Sequence, residues 1–105
     1  MIYTNTPDVP GREILEVLGV VTGNVVQTKH LGKDIAASFK TLVGGEISSY
    51  TQMLTEARHK AISRMVDHAL KINADAIVSL RFTTSSIMKN ASEILAYGTA
   101  VKLKP

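Results

Sequence analysis

With 105 residues the chain has the length of a single domain, since two halves of this size would each lack a core able to stand alone. Its apolar fraction of 45% and charged fraction of 20% exclude intrinsic disorder, and the absence of cysteine excludes disulfides, zinc ribbons and thiol nucleophiles. A net charge of +3 carries no nucleic-acid signature, because the basic residues are scattered from Arg12 to Lys104 and aromatic residues for base stacking are few.

The first residues, Met1 to Pro10, carry polar side chains and two prolines instead of a basic segment followed by an apolar run. Nowhere do roughly 18 apolar residues follow one another, so no membrane span is expected and the composition points to a cytoplasmic protein.

Ile2 to Thr4 reads as a short strand, followed by a reversal at Pro7-Asp8 and Pro10-Gly11. Glu13 to Gln27 is rich in β-branched residues and reads as strand, either a hairpin closed at Gly23-Asn24 or, the favoured reading, one long strand with Gly19 and Gly23 as bulges. Leu31, Ile35, Phe39, Leu42 and Val43 recur at helical spacing before Gly44-Gly45, which predicts a short amphipathic helix. A second, longer helix starts between Glu46 and Ser49, with Ser49 and Gln52 spaced as a capping box, and ends near Ile72. Asn73 stands where a left-handed residue closes a helix.

Ala76 to Thr84 reads as a strand with Ala76, Val78, Leu80 and Phe82 on its apolar face; a polar connection, Thr84 to Ser92, leads to a last strand, Glu93 to Leu103. Strands, two helices, then strands is an α+β order. Both faces of the strands around Glu13–Val26 and Glu93–Leu103 are apolar: Ile14, Leu18 and Val20 against Leu15, Val17 and Val21, and Leu95, Tyr97 and Val101 against Ile94, Ala96 and Ala100. Helices on one face leave the other for a second subunit, so a homo-oligomer is expected.

The histidines His30, His59 and His68 lack the three- or four-residue spacing of a helical metal pair, and His59 and His68 fall on opposite sides of their helix. His59 is expected at the surface, and His68, on the stripe of Tyr50, Leu54, Ala57, Ala61 and Met65, in the core or an interface with a hydrogen bond. Arg58, about 60° from the centre of that stripe, is expected to be partly buried and paired with Glu16, Glu46 or Glu93, from its own or a neighbouring subunit. Tyr97 and Gly98 are expected where sheets or subunits pack. No nucleophile elbow, phosphate loop, dinucleotide fingerprint or zinc-protease motif is present, and no acid is singled out for proton transfer, so an enzyme is the less favoured reading.

The residues Gly44-Gly45-Glu46-Ile47, Tyr50-Thr51, Glu56-Ala57-Arg58, Arg64-Met65, Ala74-Asp75-Ala76, Arg81-Phe82 and Ala96-Tyr97-Gly98-Thr99-Ala100-Val101 closely resemble the YbjQ-like family of bacterial and archaeal proteins. The resemblance spans nearly the whole chain. It implies a dodecin-like α+β subunit, with a small antiparallel sheet packed on one long helix plus a short one, in a ring-shaped homopentamer. It also implies a family label of heavy-metal binding, against which the lack of cysteine stands, since soft metals favour thiolates. This chain departs at Asn73 and Ser79, where glycine is frequent in the family. The functional reading is an oligomeric protein that binds a small ligand or metal ion at subunit contacts built from Glu46, Tyr50, Arg58, Arg81 and Tyr97. The alternatives are a scaffold or regulatory assembly, and a small hydrolase or isomerase with an intersubunit site.

Overall fold

The computed structural model describes residues 1–28, 42–43, 46–89 and 91–105, with side chains described for 1–28, 51–89 and 91–105. Strands β1 (Ile2–Tyr3), β2 (Ile14–Thr28), β3 (Leu42–Val43) and β4 (Glu46–Ile47) precede helix α1 (Ser48–Lys71), which is followed by β5 (Ala76–Met88) and β6 (Ala91–Leu103). The main sheet has four strands in the order β1-β5-β6-β2. It is mixed where the resemblance implies an antiparallel sheet: β1 runs parallel to β5, and both β5 and β2 run antiparallel to β6.

Two sequence-based boundaries change. Leu42 and Val43, expected at the end of a helix, pair as β3 with β4, while most of that expected helix lies outside the described residues. The polar stretch Thr84 to Ser92, expected as a connection, is mostly strand, since β5 runs to Met88 and β6 restarts at Ala91. Threonine and serine there fit a strand whose side chains face solvent.

Bulges decide which side chains share a face. In β5, Val78 pairs with Thr99 and Arg81 with Tyr97, so Ser79 and Leu80 together oppose Gly98. Ser79 takes a φ of 54°, the left-handed geometry a bulge of this kind places at its first residue. The extra residue reverses the alternation: Ile77 and Leu80 pack under the helix, whereas Ala76 and Val78 join Val9, Val101 and Leu103 on the opposite face. The single apolar face read from Ala76, Val78, Leu80 and Phe82 is therefore split. Gly19, at φ 132°, does the same in β2, where Leu18 and Val21 pack helix-side and Val20 faces away.

Gly23 is no bulge, because the register runs unbroken from Gly19 to Thr28. Its role is close approach: a Cβ at this position would collide with the carbonyl oxygen of Ala61 and the amide nitrogen of Met65. Helix backbone thus rests on strand backbone, beside a stripe of Ala57, Ala61, Met65 and Ala69 that is almost wholly buried against Val21, Val25, Ile94, Ala96 and Ala100. Gly98 is held by packing as expected, since an added Cβ would lie 2.6 Å from Ile77 Cγ2 and 3.1 Å from the Val78 carbonyl oxygen.

The helix ends at Asn73, whose φ of 60° lets its N–H donate to the Leu70 carbonyl while the Ala74 N–H donates to that of Ala69. Asn73 and Ser79, where the resemblance leads one to expect glycine, are thus both left-handed positions. Just beyond, the Asp75 carboxylate accepts the Leu103 N–H at 2.8 Å and lies 3.6 Å from Lys102 Nζ, clipping the turn to the end of β6. The Leu103 hydrogen bond, followed by the charge of Lys102, lowers the Asp75 pKa below its ordinary 3.8.

Two outcomes follow for stability. Gly23→Ala should lower unfolding free energy by about 3 kcal/mol or prevent folding, measured by urea denaturation, because neither neighbouring backbone atom can rotate aside. Asp75 has a depressed folded pKa, so its contribution is present above the ordinary value and lost as pH falls through and below 3.8. The melting temperature should drop over that acid range, and Asp75→Asn should lack this part of the drop.

Candidate functional site

Helix α1 lies over β2 and β6, displaced toward the β2 side, and its two flanks therefore meet different surroundings. On the β2 flank, His68 Nδ1 accepts the Thr22 N–H at 3.2 Å and Arg64 Nη1 donates to the Asn24 carbonyl at 2.6 Å. Both backbone groups belong to the outer edge of the sheet, so the helix closes the middle of that edge with its own side chains. His68 has the expected hydrogen bond but is exposed, because the buried stripe continues through Ala69 instead.

On the β5 flank, Thr55, Arg58, His59, Ile62 and Phe82 line an open groove of about 210 Å³. Arg58 is exposed, and among the described residues its side chain makes one long contact, 3.5 Å from Nη2 to Thr55 Oγ1. Within one subunit the expected burial is not found, because the helix lies closer to β2 than to β5. Among the described side chains no carboxylate pairs with it; Glu16 is exposed, and Glu93 Oε2 instead accepts a hydrogen bond from Asn24 Nδ2 at 3.0 Å. His59 is exposed as expected. A second groove, of about 280 Å³, is lined by Gln27, Met53, Glu56, Ala57 and Lys60.

Arg81 and Tyr97 are direct cross-strand partners, so the fold brings two of the candidate residues onto the face opposite the helix. The Arg81 guanidinium turns outward from there, with Nη1 donating to the carbonyls of Asn5 at 2.9 Å and Leu80 at 3.0 Å. It ties the N-terminal segment to the β5 bulge. Tyr97 is exposed beside it. Arg58 is on the other side of the sheet, and the side chains of Glu46 and Tyr50 lie outside those described, as does His30. One subunit therefore does not gather the candidate residues into one site.

The same holds for metal donors. Among the described residues no three histidine, aspartate or glutamate side chains come together, and the chain has no cysteine. The donors of one described subunit do not fit a heavy-metal centre. The edge contacts of His68 and Arg64 were not readable from the sequence, because they end on backbone atoms of a distant strand.

A family model described as "Putative heavy-metal-binding" matches residues 1–104. The chain belongs to the YbjQ-like family. It is similar to a UPF0145 protein of Thermosipho africanus, with 65% identity over 99% of this chain and 96% of the relative. A UPF0145 protein of Vibrio campbellii is 63% identical over 98% of this chain and 99% of its own. A crystal structure of a Pediococcus pentosaceus protein of unknown function, from the DUF74 family, covers 99% of this chain and 98% of its own at a TM-score of 0.61. With 18% identity, that likeness concerns the fold alone. No helix among the described residues of this YbjQ-like chain is long and apolar enough to cross a membrane.

Arg58→Ala should change the stability of the isolated subunit by less than about 0.5 kcal/mol, as for an exposed side chain without a charged partner. Thermal melts at low protein concentration check this, and a larger loss would reveal a partner within the chain.

Proposed function

We propose that this YbjQ-like protein is a homo-oligomeric binding protein whose ligand site is completed by a neighbouring subunit. The observation that carries the reading is the sheet face opposite α1. The N-terminal segment covers its upper part through Val9, yet Val17, Val20 and Val26 of β2 remain 64%, 67% and 51% exposed beside Tyr97. Large apolar side chains sharing one uncovered sheet face favour association over solvation. A ring-shaped, dodecin-like pentamer, which the family resemblance implies, is the assembly we propose.

The separation of the candidate residues supports a site between subunits. Tyr97 on one face and Arg58 on the other approach each other only across a contact between copies, and the same contact would bring together metal donors that one subunit keeps apart. Whether the occupant is a metal ion or a small organic ligand, it is held by groups from two chains. No catalytic residue is assigned.

Native mass spectrometry of untagged protein tests the proposal, followed by titration with a divalent metal under chelator competition. The expected result is a single assembly, with a co-purified or titratable occupant that is lost when the assembly dissociates. An 11.3 kDa species at micromolar concentration would overturn the oligomeric reading. An intact assembly that takes up nothing would leave a scaffold.

A further inference from the structure

The two flanks of α1 differ in charge as well as in contacts. On the β2 flank, Arg64 and His68 are spent on backbone groups of the strand, and Glu56 stands with Lys60 in the second groove. The β5 flank carries a cation and no acid. Thr55, Arg58, His59, Ile62 and Phe82 line its groove, and none of these is a carboxylate. The acids of the helix, Glu56 and Asp67, are two and nine residues from Arg58, which at about 100° per residue places both on the far side of the helix from it. On β5 the one charged side chain is Arg81, on the opposite face and engaged with the carbonyls of Asn5 and Leu80.

Arg58 therefore keeps most of its donors. The guanidinium is always charged, and its one contact among the described residues is the long one to Thr55 Oγ1. That hydroxyl donates to the Thr51 carbonyl at 2.8 Å, so its oxygen is left to accept from the arginine. His59 adds an exposed imidazole on the same flank. The rest of the lining is apolar, with Ile62 half-buried and the ring of Phe82 39% exposed. A space of about 210 Å³ is smaller than the roughly 300 Å³ at which pockets for drug-sized ligands begin, and suits a single ring or a short chain. One guanidinium matches one carboxylate in charge and in its paired donors.

We propose that this groove binds a small organic carboxylate with an apolar body, the carboxylate on Arg58 and His59 and the body on Ile62 and Phe82. The proposal rests on the reading above that Arg58 serves a ligand, and it decides the class of that ligand. A metal cation here would meet an unpaired positive charge and no acidic donor from the groove lining.

Benzoate, a monoanion with one ring, is the probe. Calorimetric titration of the untagged full chain should show saturable binding, with benzyl alcohol, which keeps the ring, and inorganic phosphate, which keeps only charge, each weaker by about tenfold or more. Arg58→Gln should weaken benzoate by a similar factor while the native mass stays the same. In the wild type the ring resonances of His59 should move with added benzoate and those of His68, on the other flank, should not, a measurement that decides the matter if the variant does not fold. Benzoate that fails to bind an intact assembly, equal binding of either control, unchanged affinity in Arg58→Gln, or a response of His68 in place of His59 overturns the carboxylate site and leaves the oligomeric reading standing. A wild-type monomer that binds benzoate through His59 overturns the oligomeric reading alone. A monomer that binds none overturns both.

Discussion

The backbone contact at Gly23 governs the arrangement of the subunit. Because nothing larger than hydrogen fits between this strand residue and the helix at Ala61 and Met65, α1 can lie directly on β2. The small side chains of Ala57, Ala61 and Ala69 belong to the same contact. Once the helix axis is drawn to that side, Arg64 and His68 are within reach of the β2 edge, and the opposite flank, with Arg58 and Ile62, faces a groove. The two side-chain contacts on the β2 edge and the exposed arginine trace to one close approach.

The bulges at Gly19 and Ser79 set the second constraint. Each inserts a residue that reverses the alternation of its strand, so apolar side chains are distributed to both faces of the sheet. The upper part of the far face is sealed by Val9 from the Pro7–Arg12 turn, which packs on Ala76, Val78 and Val101. The lower part carries the exposed valines Val17, Val20 and Val26. The proposed association would cover these side chains.

The heavy-metal description of the family finds no donor set within one described subunit. His59 and His68 sit on opposite flanks of α1, Asp75 is engaged with Leu103 and Lys102, and Glu93 with Asn24. Each of these acids has a structural contact that would have to be given up to a metal. A site shared between subunits asks no such exchange of the remaining exposed groups.

Much of the subunit was legible in the sequence, because its signals are local. β-branched runs marked β2 and β6, helical spacing and Asn73 marked the body and end of α1, and two-sided apolar strands marked a sheet in need of two covers. The small residues around Tyr97 and Gly98 marked close packing. What the sequence did not reveal depends on atoms far apart along the chain. Alternation counted through Ser79 put Ala76 and Leu80 together, and only the pairing with β6 discloses the extra residue that separates them. A helical wheel placed Arg58 near the apolar stripe, but a wheel does not say how far the sheet extends beneath it. The division of Arg58, Arg81 and Tyr97 between two faces was therefore decided by tertiary structure, because bulges and the helix position act on whole faces at once.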